Sequence, residues 1–264
     1  MITIAVTNQK GGCGKTTTAI NVAAGLGIMG YRVLLVDLDP QAHATIGLGY
    51  EPSQLERTAT DLFINPHQSI DGITLSTQEP GLSLIPSNVL LGTVEIDLVR
   101  MVGKELILAE QLRQVSGQYD YCILDCAPPL TILMLNAFIA SQYVTITVQT
   151  QYLALEGLKR LLETIRIIKK RFHPCSVETL GLVLTFVEDR TSLCRQIQQQ
   201  LREYFGPFVF NTVIHRNVRL AEAPSAGKSI FRYSASSKGA YEYRALAEEV
   251  TQSIEHRNQE SVVA

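Results

Sequence analysis

Apolar residues in this chain fall in short unbroken runs, separated by stretches in which they recur at helical spacing. The runs are residues 2–7 (ITIAVT), 32–37 (RVLLVD), 121–125 (YCILD), 143–148 (YVTITV), 180–186 (LGLVLTF) and 208–213 (FVFNTV). Runs of that length, apolar on both faces, predict strands covered on both sides. Helical periodicity predicts helices over 16–30, 104–115, 130–140, 153–172, 193–205 and 240–256, with Gly30 as the stop of the first. Strands alternating with helices predict an α/β fold: a mostly parallel, twisted β-sheet flanked by helices on both faces. Residues 51–100 carry no clear pattern. There is no internal repeat, low-complexity segment or linker. A single domain over 1–264 is expected, with a C-terminal helix at about 237–258 and disorder in the last few residues.

Composition narrows the class. Hydrophobic residues make up 46% and charged residues 18%, so a sizeable core is expected rather than a disordered chain. The first apolar run is too short for a signal peptide, and no unbroken apolar run approaches the roughly 20 residues of a membrane span. A cytoplasmic protein is expected. The five cysteines, at 13, 122, 126, 175 and 194, are odd in number and scattered, which predicts reduced, buried thiols. Cys13 is expected to fill space, with a redox role as the alternative. Charge is uneven: residues 159–244 hold 15 Lys and Arg against 7 Asp and Glu, whereas 1–158 hold 7 against 14. A basic block in a mildly acidic chain is consistent with an anionic partner or with a dispersed solvated face; charge alone leaves both open.

The first run stops at Lys10-Gly11-Gly12-Cys13-Gly14-Lys15-Thr16-Thr17, and a helix follows. A glycine loop between a strand and a helix aims backbone N–H groups and the helix N-terminus at phosphate. In that context Lys15 is a candidate for the β/γ-phosphates, and the Thr16 hydroxyl for a magnesium ion. The strict pattern G-x-x-x-x-G-K-[ST] is not met, because Gln9 stands at its first glycine and Lys10 is additional. This variant resembles the deviant Walker A form of the P-loop NTPases.

With that loop, the chain resembles the ParA/Soj-type partition ATPases over most of its length. Further matches are Val36-Asp37-Leu38-Asp39-Pro40-Gln41 with Ala44-Thr45, and the Walker B stretch Ile123-Leu124-Asp125-Cys126-Ala127-Pro128-Pro129. Later come Val148-Gln149, Tyr152-Leu153-Ala154-Leu155-Glu156-Gly157, Arg190-Thr191, and Arg216-Asn217-Val218-Arg219-Leu220-Ala221-Glu222-Ala223-Pro224-Ser225. The resemblance implies ATP and Mg2+ as cofactors. ATP would be bound by Lys10 through Thr17 and by Asn217, and Mg2+ by Thr16, Asp39 and Asp125. Lys10, Lys15 and Asp39 would be catalytic, Asp39 by orienting the attacking water and Lys10 by reaching the nucleotide of a second copy. Asp37 is expected to be structural. The resemblance further implies an ATP-dependent homodimer, non-specific double-stranded DNA held by Arg190, Arg219 and Arg216, and a ParB-like or equivalent adaptor that stimulates hydrolysis. It implies a nucleoid-associated protein with no membrane partner. Arg195, Arg202, Lys228 and Lys238 are neighbouring candidates for DNA.

Two departures stand out: His215 occupies a position where proline is usual, and Ala42-His43 replaces Gly-Asn. The rival readings are a MinD-like membrane ATPase, for which residues 153–172 would be the lipid-seeking helix, a nitrogenase-iron-protein-like cluster carrier, and a metabolic synthetase. The tail after Arg244 is acidic apart from Arg257, unlike a basic membrane helix. Cys122 and Cys126 flank the Walker B strand, the wrong place to bridge a cluster between subunits.

Overall fold

All six apolar runs become strands of one eight-stranded sheet. The computed structural model describes residues 1–65, 69–98, 101–151, 154–172 and 175–263, so Tyr152 and Leu153 of the quoted motifs lie outside the described residues. In chain order the first elements are β1 (Ile2–Thr7), α1 (Lys15–Ile28), β2 (Val33–Leu38), α2 (His43–Gly47), α3 (Ala59–Ile64), β3 (Leu75–Ser76), β4 (Leu82–Ile85), α4 (Leu91–Leu98) and α5 (Ile107–Gln114). There follow β5 (Tyr121–Cys126), α6 (Ile132–Ala140), β6 (Tyr143–Gln149), α7 (Ala154–Arg171), β7 (Glu178–Val187), α8 (Ser192–Phe205), β8 (Val209–His215), α9 (Val218–Glu222), α10 (Ile230–Tyr233) and α11 (Lys238–Val263). The sheet order is β3-β4-β2-β5-β1-β6-β7-β8. Among the described residues every pairing is parallel except the short β3–β4 edge.

Alternation along each strand divides the interior in two. Leu34, Val36 and Leu38 of β2 point into a core shared with α3 to α8, while Val33 and Leu35 point into one shared with α1, α10 and α11. Both faces are therefore buried, which is why the strands read as continuous apolar runs. Helix α7 packs into the first of these cores through Leu158, Leu161, Ile165 and Ile168, all nearly inaccessible. Its apolar stripe is occupied by protein, so it does not offer the lipid-facing surface considered above.

Helix α1 ends as its glycine predicts. Gly30 has φ 97°, its N–H donates to Gly27 O, and the Tyr31 N–H donates to Leu26 O, the paired bonds of a Schellman stop. A second use of glycine joins this helix to β4. A Cβ on Gly27 would lie 2.0 Å from the Pro80 carbonyl oxygen, and one on Gly81, at φ +66, would lie 2.6 Å from that of Tyr31. The backbones meet there with no room for a side chain.

Within residues 51–100, where the sequence carried no clear pattern, lie α3, α4 and the β3–β4 edge. The C-terminal helix also differs from expectation, running Lys238–Val263 rather than to about 258.

Candidate nucleotide site

The parallel sheet gathers the chemistry at one edge. In register, Val6 pairs with Asp125 and Asp37 pairs with Asp125, so the loop after β1, the segment after β2 and the end of β5 lie side by side. That is where open parallel sheets bind ligands, beyond the carboxyl ends of their strands. The loop after β1 is moored on both flanks. Asn8 accepts the Lys10 N–H at 2.9 Å and donates to Thr147 O on β6 at 2.6 Å. The Cys13 thiol donates to Lys10 O at 3.1 Å and lies 3.3 Å from the Thr147 hydroxyl, and Thr185 of β7 donates to Cys13 O at 2.9 Å. Cys13 is fully buried, so its thiol is a structural tie of the loop. All five cysteines are buried and none is disulfide-bonded.

Gly14 caps α1 at φ 82°, with no side-chain hydrogen bond and no acidic residue in the first turn. The N–H groups of that turn are therefore left for an anion instead of a serine or aspartate cap. Gly12 is also left-handed, at φ 69°. Gly11, Gly12, Gly14, Lys15, Thr16 and Thr17 form one wall of a cavity of about 820 Å³. Asp39, Pro40, Gln41, His43 and Glu95 contribute to other walls, as do residues 127–129 and Thr131. Lys15 is 6% exposed and donates to Lys10 O at 3.0 Å, which keeps its ammonium folded into the loop.

Three carboxylates lie at this edge in different states. Asp37 is structural: it accepts from the Asp39 N–H at 3.1 Å, the Thr45 N–H at 2.8 Å and the Thr45 hydroxyl at 2.7 Å. Burial nonetheless pushes its pKa up to about 6. Asp39 is 8% exposed; its Oδ1 accepts the Gln41 N–H at 2.9 Å, and Oδ2 carries no hydrogen bond among the described residues. Asp125 is fully buried, and neither oxygen has a partner of hydrogen-bonding geometry. Burial, with Asp37 beside it, raises its pKa well above the ordinary range; Thr16 opposes the shift from close by. An orphaned carboxylate next to a threonine hydroxyl is a donor set that suits a small hard cation. Among the described residues no three His, Cys, Asp or Glu side chains form a metal cage by themselves, so phosphate oxygens and water would complete the coordination.

These states set a pH dependence. Because both folded-state pKa values are raised, these two groups hold their protons longer in the native protein without metal or nucleotide than in the unfolded chain. Their contribution to stability should therefore fall as pH rises from 3.8 through about 6 and beyond. Asp125→Asn removes one of the two groups, and thermal unfolding from about pH 5 to pH 8 should lose less, by roughly 2–4 °C for 1 kcal/mol at this chain length. Identical slopes for variant and wild type would count against the assignment.

Lys10 is not part of the cavity wall. Its ammonium donates to Gln151 Oε1 at 2.5 Å, just after β6. Gly14, Thr17 and Phe186 are shared with a second cavity of about 480 Å³, lined further by Ile214, His215, Asn217, Leu220 and Tyr243. Asn217 thus reaches a mostly apolar chamber suited to a base, while its Oδ1 caps α9 through the Arg219 N–H at 2.9 Å. The arginines expected to meet DNA are all exposed but differ in engagement. Arg216 pairs with Glu188 at 3.0 Å, Arg219 with Glu222 at 2.9 Å, and Arg190 has no partner among the described residues. Sequence reasoning missed Gln151, Glu95 and Phe186. Phe186 has the left-handed φ of 53° and lines both cavities; the Gln151 contact joins residues 141 apart, which no local pattern shows.

Comparison with known proteins places these features in context. A family profile described as an AAA domain matches residues 1–176. The sporulation initiation inhibitor protein Soj of Bacillus subtilis (strain 168) is 46% identical over 247 residues, covering 94% of this chain and 97% of that protein. The chromosome partitioning protein ParA of Myxococcus xanthus is 40% identical, covering 94% of this chain and 87% of that one. Among solved structures, the cobyrinic acid a,c-diamide synthase from Mycobacterium smegmatis, with bound ATP analog and magnesium, superposes with a TM-score of 0.81. It is 31% identical and covers 94% of this chain and 93% of that chain.

Proposed function

The chain belongs to the family of Soj and ParA chromosome partitioning proteins, and we propose that it is a Mg2+-dependent ATPase that segregates DNA or positions another cargo over it. ATP joins two copies face to face, the dimer holds duplex DNA without reading its sequence, and hydrolysis stimulated by a ParB-like adaptor releases it. One observation carries this reading: Lys10 belongs to the phosphate loop, yet its ammonium is held on Gln151, outside the cavity wall. A lysine so placed is available to the nucleotide of a second copy, where it would stabilise transition-state charge as an arginine finger does.

The remaining groups have roles that follow from their positions. The N–H groups of the first turn of α1 and the loop bind the phosphates, with Lys15 turning from Lys10 O to the β/γ oxygens. Thr16 would hold Mg2+ directly and Asp125 through water; the ion neutralises phosphate charge when bound. Asp39, with its uncommitted Oδ2, orients the attacking water. Arg190, Arg216 and Arg219 contact phosphate oxygens of DNA, which fixes affinity and not sequence.

Retention of a random duplex should therefore require ATP and fall steeply with salt. Arg219→Glu should bind ATP and dimerise like wild type but retain DNA about tenfold less well, with a smaller salt slope. Fluorescence anisotropy over a salt series measures both. If Arg190→Glu and Arg219→Glu both bind duplex normally at low salt, the DNA assignment is wrong.

A further inference from the structure

His215 lies outside the phosphate chemistry, yet it is held unusually firmly. Its Nδ1 is 2.6 Å from Glu242 Oε1 on α11, and its Nε2 is 2.7 Å from Asp189 Oδ2 in the loop between β7 and α8. Its own backbone N–H donates to Glu242 Oε2 at 3.0 Å. A neutral imidazole donates from only one ring nitrogen, whereas two ionised carboxylates can only accept. Both contacts are satisfied together when both nitrogens carry protons, so the geometry calls for the cation.

What this contact fixes is the residue beside it. Asp189 is also held by α8, since its Oδ1 accepts from Gln198 Nε2 at 3.2 Å and its backbone oxygen from Arg195 Nη1 at 3.0 Å. Thr191 caps α8 through the Cys194 N–H at 3.3 Å and bonds back to Glu188 O. Arg190 stands between these two anchors. Its backbone is pinned on both sides, while its guanidinium has no partner among the described residues. Arg216 and Arg219, in contrast, already hold carboxylates.

We propose that His215 is a positioning residue for the DNA face: by bridging Asp189 to Glu242 it fixes the loop that presents Arg190 to phosphate. This rests on the DNA-binding reading above. A fixed loop lets Arg190 meet a phosphate with less ordering cost than a mobile one. Without the bridge, Asp189 and Glu242 lose the cation between them, with Lys238 left beside Glu242, and Asp189 becomes available to capture Arg190 itself. The surrounding charges are Lys238, 3.6 Å from Glu242 Oε1 on the same helix, and the Arg216–Glu188 pair at the ends of β8 and β7. Tyr243 of α11 lines the chamber that His215 also lines.

The hydrogen bond from His215 holds the Asp189 pKa below its ordinary value, which keeps that side of the bridge ionised in mild acid.

The test compares duplex retention by the full chain and its variants with saturating ATP. His215→Phe should lose about tenfold. Asp189→Asn should reproduce that loss, and the double variant should add nothing to it. His215→Arg keeps a cation between the carboxylates and should restore retention to the wild-type level; if the phenylalanine variant does not fold, Asp189→Asn carries the test. Wild-type retention in His215→Phe or in Asp189→Asn, with Arg219→Glu defective alongside, would overturn the role of His215 and leave the DNA face standing. Normal retention in Arg190→Glu and Arg219→Glu would instead remove the DNA reading itself.

Discussion

Replacing Lys10 with alanine is expected to abolish ATP-dependent dimerisation while a single copy still binds ATP. The phosphate loop keeps its glycines, the uncapped first turn of α1 and Lys15, whose present partner is the backbone oxygen of residue 10 and not its side chain. Binding by one copy therefore loses little. The lost group is the ammonium held on Gln151, and charge supplied across an interface is worth about 10³–10⁵ in turnover in related phosphoryl-transfer systems. Stimulated hydrolysis should fall by at least about 10³, and light scattering with ATP should report a monomer. A variant that still dimerises with ATP would show that Lys10 serves its own nucleotide only.

Replacing Asp39 with alanine should produce the opposite phenotype. Asp39 offers one oxygen with no hydrogen bond among the described residues, in the same cavity as Lys15 and Thr16. Loss of a group that positions and activates a nucleophile costs about 10²–10⁴ in rate, and the phosphate contacts proposed above do not depend on it. The variant should bind ATP, dimerise and then remain on DNA, because release in the proposed cycle requires hydrolysis. Phosphate release and duplex retention after removal of free ATP measure the two halves of this expectation. Hydrolysis at the wild-type rate would move the role of Asp39 elsewhere. Together the two variants separate assembly from turnover: one never reaches the DNA-bound state and the other does not leave it.

Much of this arrangement was readable in the chain because its signals are local. Strands covered on both faces leave continuous apolar runs, so β1, β2 and β5 to β8 were visible, and the parallel order then places the ends of β1 and β5 at one edge. The phosphate loop, Asp39 and Asp125 follow from motifs that sit at those strand ends. The signal fails where elements are shorter than the period that would reveal them. Helix α2 has five residues, α3 has six, and β3 has two. Helix α3 does carry a readable start, in the reciprocal Thr58 and Asp61 cap. The end of α11 was misplaced for a different reason: after His256 the sequence is polar but contains no glycine or proline to stop a helix. Contacts such as Lys10 with Gln151, or His215 with Asp189 and Glu242, join segments distant in sequence and could not be read from it. His215 stood out only as a departure from the family pattern.

The seam between α1 and β4 bears on how this chain can change over generations. Gly27 and Gly81 meet where neither backbone leaves space for one more carbon atom, and Gly81 also occupies a backbone region that other residues enter at a cost. Almost every missense change at either codon therefore brings overpacking, strain or both. The stretch around β4, whose pattern of apolar residues says least about its structure, thus contains a position with almost no freedom to drift. Mutational tolerance along this chain should follow backbone clearance at such points, and not how strongly a segment announces its fold.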